Sequence, residues 1–540
     1  MRNDHIYRAY LDEMQALREF VINYHSEHKF SGLHSEMSSE DPDVNRLLES
    51  LAFFSARIHD SVTRNLESYR YRLYQQLFPY LLTPTPASGI LRGSTSGLLT
   101  EPVRIEQSTD FVMQTREGKE FFWQTRFDTT LYPLYMHSIE TQPAERIGTN
   151  LYLHIAARHS LHQNPSPLQI LINYISDAKT SFRLLTYLRA STQSVRAHFG
   201  SVRHMQQRED WTWFDLDLPL YGSEGFDIGP DDDDYLHPIE HERLFFKDPR
   251  FELFMHVNLP KQEEPIDLIT LEFYLSEPWP KGIVPNRDIF QLNCFPIINL
   301  RQLPSKPILI DGSLTQHTLL SGFEDEHGFE LCKTMGVFQL DPDGLTPIIP
   351  GVIARVSPCY EIESRIIEQR GRYFSNLLIH YPEAYEEPKQ IFADCLWHQP
   401  TIDNYRDSPS EFRPYSFNVL GVQWEWAFMP DKHTAQPDLT LKSDGLLDIL
   451  QISHKKYYSS DDLRAIMMQL GTLTEGPYRQ IFAAFKAVRW ELRTIEDGRL
   501  TPGYVIYFFD FDWDLMLLIV WLVCTFRRRP VLISQLIAMI

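Results

Sequence analysis

Histidines and acids crowd together at two places in the 540-residue chain. His237 and His241 are four apart with Glu242 beside them, and Asp231, Asp232, Asp233 and Asp234 lie just upstream. Two histidines at that spacing on a helix share a face, as a divalent metal requires, and carboxylates could complete the set. Pro238 stands between them and favours an extended or first-turn geometry. A solvated acidic loop leading into a helix is therefore the plainer reading. His154, His159 and His162 straddle a strand end and a polar turn, and read as surface residues before they read as a ligand set.

Nucleophilic chemistry fares no better. Cys294 sits in an apolar strand, where a thiol behaves as a small hydrophobe. Gly93-Ser94-Thr95-Ser96-Gly97 puts threonine where a nucleophile elbow needs serine. Phosphate-binding glycine loops and the HExxH zinc pattern do not occur in the sequence. Carboxylate pairs for general acid work cannot be picked from 72 acidic residues without geometry. The expectation is a chain that is not an enzyme and holds no cofactor and no metal.

Net charge is −21, so phosphate backbones would repel the chain and nucleic acid is not an expected partner. Basic patches on proteins are the complement. Five scattered cysteines without a CxxC argue against a disulfide scaffold or structural zinc and fit a reducing cytoplasm. The N-terminus lacks an apolar signal region. The longest apolar run, Leu515 to Phe526, is short of the roughly 20 residues a bilayer needs. Arg527, Arg528 and Arg529 follow it. A membrane-edge reading stays open there, and a buried element ended by surface cations is the simpler one.

Two amphipathic helices open the chain. Tyr7, Tyr10, Leu11, Met14, Leu17, Val21 and Tyr24 share a face over Asp4 to His25. Asp41-Pro42 then reads as an N-cap and first helical position. Val44, Leu47, Leu48, Leu51, Phe54, Ile58 and Val62 recur at three- and four-residue steps as one stripe. The pattern runs on to Leu77 and ends at the prolines 79, 84 and 86. So long a stripe suits a rod that packs against other helices.

From Ser88 the period falls to two, and strands are expected at 103–105, 111–113, 121–127, 131–136, 151–155, 168–175, 211–218, 251–257, 269–275 and 391–397. Phe182 to Arg189 reads as a short helix. Val419 to Phe428 reads as a strand. Ser459-x-x-Asp462 reads as the cap of a helix. Ile481, Phe482, Phe485 and Val488 define another helix, and Tyr504 to Phe511 a buried strand. The predicted class is α+β, with long N-terminal amphipathic helices followed by several β-rich domains. Boundaries are expected at 1–87, 88–222, 223–320, 321–430 and 431–540.

Three phrases carry a family resemblance. Asp41-Pro42-Asp43-Val44-Asn45-Arg46-Leu47-Leu48-Glu49 with Ala52-Phe53-Phe54-Ser55-Ala56-Arg57 resembles the DP-x-VxRLLE…AFL-x-AR block of the TssF (VasA, ImpG) family. Leu77-Phe78-Pro79-Tyr80-Leu81-Leu82-Thr83-Pro84-Thr85-Pro86 resembles the following LYPHYLRPxPS block, although Tyr80, Leu81 and Leu82 replace its His and Arg. Phe290-Gln291-Leu292-Asn293-Cys294-Phe295-Pro296-Ile297-Ile298-Asn299-Leu300 is similar to F-x-LNCxPxINLF. Beyond about Leu320 the likeness thins.

The resemblance implies a structural subunit of the type VI secretion baseplate wedge. It would assemble with TssG, TssK, TssE and a second copy of itself, near the VgrG spike and under the contractile sheath. It would be cytoplasmic, recruited to the inner-membrane complex without spanning the membrane. The phage tail baseplate wedge proteins are the structural analogues. Val44, Leu47, Leu48, Leu51, Phe54, Ile58 and Val62 are expected to carry inter-subunit helix packing. The alternative is that this stripe seats the helix on its own β domain. A β-rich enzyme or carbohydrate-binding module is the competing function class, and it accounts for the strand content alone.

Overall fold

The computed structural model describes residues 2–25, 42–77, 83–144, 148–200, 212–216, 243, 247–262, 264–322, 328–351, 357–367, 372–381, 387–408, 410–432, 459–470, 482–483, 485–494 and 500–508. Two compact units emerge, one holding the N-terminal helices (Met1–Pro79) and one holding the strands.

The α+β expectation is corrected. Among the described residues strand outnumbers helix by about two to one, so the fold is β-rich. Helix α1 (Arg2–His25) and helix α2 (Pro42–Leu77) form a minor unit. Only Met14, Ala52 and Ala56 are fully buried among their described apolar side chains, while most of the large ones are exposed. The physical reason is size. Alanines four apart let two helix backbones approach closely, and that approach leaves the bulky stripe beside it uncovered.

In the β unit the centre is a six-stranded sheet. Its order is Ser410–Pro414, Asp110–Thr115, Glu120–Thr125, Cys294–Ile298, Ser88–Thr95 and Val422–Phe428. Cys294–Ile298 is buried along its whole length, as its unbroken apolar text requires of a central strand. Phe111, Trp123, Phe295 and Leu91 fill the core on this sheet. A second sheet runs Phe214–Leu216, Thr192–Gly200, Ile266–Leu275, Thr149–Leu161, Leu134–Pro143. Ile269, Leu271 and Phe273 alternate into its core with Leu151, Leu153 and Ile155. The helix Ala178–Ser191 adds Leu184, Leu185 and Leu188 to that core. Asp177 caps it, accepting from the Lys179 and Thr180 amides.

A third region, Arg301 to His398, forms a sheet ordered Arg301–Pro304, Lys389–His398, Glu330–Asp341, Gly344–Pro350, Cys359–Ile367, Arg372–His380, Gln316–Thr318. Near the C-terminal end, Ser459 and Asp462 make the reciprocal bonds of a capping box at the start of helix Ser460–Leu470. The helix expected across Phe485 and Val488 is instead a strand, Phe485–Thr494, paired with Leu500–Phe508. Val488, Trp490 and Leu492 suit a pleated strand with a neighbour, and that pairing overrides the three-residue spacing.

Candidate functional site

The arrangement with most to offer a partner is the face of α2. Leu47, Leu51, Phe54, Ile58 and Val62 are all exposed, from 50% at Val62 to 65% at Leu47. Leu48 is half-buried, on the same side as Ala52 and Ala56. The single stripe read from the sequence thus divides, with Leu48 turning inward and five large side chains left facing out. Val44 lies in α2, and its side chain is outside the described residues. Tyr7 and Leu11, one turn apart on α1, are exposed as well. Full burial of a large aliphatic or aromatic side chain is worth about 1.5–3 kcal/mol, so five of them hold a large unclaimed driving force for association.

The chain enters the β unit through a strap, Thr83 to Ser88, in which every carbonyl is claimed. Arg243 Nη1 donates to Thr83 O at 2.9 Å and to its hydroxyl at 3.3 Å. The Cys332 thiol donates to Pro84 O at 3.6 Å. Lys247 Nζ donates to Thr85 O at 3.1 Å and to Pro86 O at 2.7 Å. The amides of Asn299 and Asp431 donate to Ala87 O and Ser88 O. Prolines suit this segment because they bring no N–H that would itself need a partner.

Beneath the strap lies a buried ion cluster. Asp248 is fully buried and takes a two-pronged bond from Arg250, Nε to Oδ1 at 2.5 Å and Nη2 to Oδ2 at 2.6 Å. Ser88 Oγ donates to Asp248 Oδ2, and Arg250 reaches Asp431 at 3.4 Å. Burial pulls the Lys247 ammonium down to about 8, opposed by the carboxylates of Asp431, Asp248 and Asp403. Burial, then the neighbouring Asp248, raises the Asp431 carboxyl. Sequence reasoning missed this cluster. Its one local signal was Lys247-Asp248-Pro249-Arg250, which reads as an ordinary charged turn.

Candidates for reaction chemistry are dispersed. His237, His241, Glu242 and Asp231 to Asp234 lie outside the described residues. His154 is buried with Nδ1 3.0 Å from Thr270 Oγ1 and its ring stacked on Tyr152, whereas His159 bonds Gly97 O and His162 is exposed. Among the described residues no three His, Cys, Asp or Glu side chains gather to hold a metal ion. Burial pushes the Cys294 thiol up to about 12, which leaves it protonated and inert. Ser94 donates to Glu425 at 2.7 Å. No described helix is long and apolar enough to cross a membrane, and Leu515 to Arg529 lie outside the described residues.

Comparison with known proteins gives these features a setting. One curated relative, type VI secretion system component TssF1 of Pseudomonas aeruginosa, is 25% identical over 152 residues. That stretch covers 27% of this chain and 24% of the relative, so the match spans about a quarter of that protein. A chain from the cryo-electron microscopy structure of the type VI secretion TssK-TssF-TssG baseplate subcomplex superposes with a TM-score of 0.68. Its identity is 16%, over 86% of this chain and 88% of that one. A chain of the type VI secretion baseplate complex matches with a TM-score of 0.55 and 15% identity, over 92% and 89%. At such identities the likeness is one of fold. The family described as "Type VI secretion system, TssF" matches residues 2–343, well over half the sequence, and the chain belongs to that family.

Proposed function

We propose that this chain is a structural, non-enzymatic subunit of a type VI secretion baseplate wedge. It acts by burying surface against other subunits. The observation that carries the reading is the exposed row Leu47, Leu51, Phe54, Ile58 and Val62 on α2, a helix whose fully buried described side chains are Ala52 and Ala56. A partner helix laid along that row would bury it knob by knob, as helices in a bundle do. TssG and a second copy of this chain are the proposed occupants, extending to Val44 at the start of the row. TssK and TssE are the further wedge partners, with the VgrG spike and the sheath as neighbours. The site of action is the cytoplasmic side of the membrane-anchored complex, without insertion in the bilayer. Support comes from family membership and from the fold shared with chains of two baseplate structures.

The test is Leu51→Asp combined with Phe54→Asp in the full chain co-expressed with TssG. The variant is expected to stay soluble and folded while TssG is lost on co-purification. A variant that aggregates on its own would place the row in the chain's own core and overturn the reading.

A further inference from the structure

Antiparallel sheets that cover a core on one side normally turn polar side chains to water on the other. The Arg301 to His398 sheet departs from this. Its inner side packs Ile308, Val337, Ile348, Ile391, Ala393 and Trp397. On the outer side, strand register aligns Leu309 with Gln390, Gln390 with Leu340, and Leu340 with Leu345 in one row across four strands. The next row aligns Phe392, Phe338 and Pro347, and the two phenylalanine rings stack at 5.6 Å. Leu309, Leu340 and Leu345 are 60%, 49% and 55% exposed. With strands about 4.8 Å apart, the patch is on the order of 15 Å across.

We propose that this outer sheet face is a second docking surface, taking a flat apolar patch that carries lysine or arginine on another baseplate subunit. The inference rests on the wedge reading above. Two features set the mode of docking and the charge of the occupant. The outermost strand of the patch, Gly344–Pro350, carries Pro347 and Pro350, which lack amide donors. The sheet continues beyond it, Ile349 and Pro350 pairing with Cys359 and Tyr360 of Cys359–Ile367, so a partner meets the face there and not a free strand edge. The charged side chain on the patch is Asp394, in line with Phe392 and held by Gln302 Nε2 at 2.7 Å. No lysine or arginine occupies the aligned outward positions 309, 338, 340, 345, 347, 390, 392 and 394. Two copies meeting face to face would bring Asp394 toward its own equivalent, between chains of net charge −21 each. A basic partner is therefore favoured over a second copy. Contiguous exposed apolar surface of this kind marks interaction sites.

The probe is TssK, the protein named with TssF and TssG in the matched subcomplex. The full chain is co-expressed with TssG and TssK as wild type, as Leu340→Lys with Leu345→Lys, and as Asp394→Asn. The leucine pair is expected to weaken TssK retention at least about tenfold. TssG should remain, and the melting temperature should stay within about 2 °C of wild type. Asp394→Asn should weaken TssK less, with a loss that shrinks at high salt. Retention of both partners at wild-type level by the leucine variant overturns this surface alone. A self-dimer of the wild type abolished by the leucine variant overturns the hetero-partner in favour of a second copy. A fall in melting temperature beyond about 5 °C shows a core position and also overturns it. A wild type that binds neither TssG nor TssK overturns the wedge reading, and this one with it.

Discussion

Asn293 and Tyr132 hold each other by two reciprocal hydrogen bonds, although they lie 161 positions apart. The Tyr132 amide donates to Asn293 Oδ1 at 2.9 Å, and Asn293 Nδ2 donates to Tyr132 O at 3.0 Å. The amide side chain thus stands in for a neighbouring strand where backbone pairing stops. Asn293 does this from a left-handed backbone, φ 58°, which asparagine tolerates better than most residues. Asn293→Ala is expected to cost about 2–4 kcal/mol, combining two lost bonds, stranded backbone groups and left-handed strain. Asn293→Gly should recover about 1 kcal/mol of that. Urea unfolding of the three proteins checks the order.

Within the helical unit, small residues matter more than large ones. Leu51→Ala and Phe54→Ala remove exposed atoms, and each is expected to shift the isolated chain's stability by no more than about 0.5 kcal/mol. Ala52→Leu or Ala56→Leu forces bulk into a closed contact and should cost about 1–3 kcal/mol. Helical circular dichroism during unfolding separates the two cases. Equal effects from both pairs would contradict the division of the stripe.

Lys247 sets a dependence on pH. Its folded value, about 8, lies below the ordinary 10.5, so the unfolded chain binds the extra proton between those limits. Stability therefore rises with pH across that window, and below about 8 the full cost of a buried ammonium is present. The difference in unfolding free energy between wild type and Lys247→Met is expected to grow from pH 8 toward pH 10. A flat or falling difference would contradict the buried placement.

Ile175 turns a tight corner at φ 51°, followed by Ser176 at φ 58°, with its side chain 82% exposed. A β-branched residue pays for that conformation without gaining burial in the chain itself. Ile175→Asn should stabilise the protein by about 1 kcal/mol, read as a higher melting temperature.

Local signals carried far in this sequence. The alternation at Ile269 to Leu275 placed a strand that the structure extends to Ile266–Leu275. Ser459 and Asp462 announced a cap that the structure closes with two bonds. Phe182 to Arg189 marked the middle of the Ala178–Ser191 helix. What stayed hidden depends on distant chain. Ser88–Thr95 pairs with Cys294–Ile298 and Val422–Phe428, more than 190 residues away, and no local pattern specifies that register. The α+β expectation gave the helices too large a share for a related reason. Periodicity shows which α2 side chains share a face but not which face is covered, and here Ala52 and Ala56 took the covered one. The strap was legible only as a run of prolines, because its donors Arg243 and Lys247 come from far downstream.

Six consecutive carbonyls pinned along Thr83 to Ser88 have a mechanical meaning. Tension arriving along the backbone from the N-terminal side meets a row of anchors that share the load, with little slack to be drawn out first. Under force, such an attachment is governed by the rate at which it unfolds.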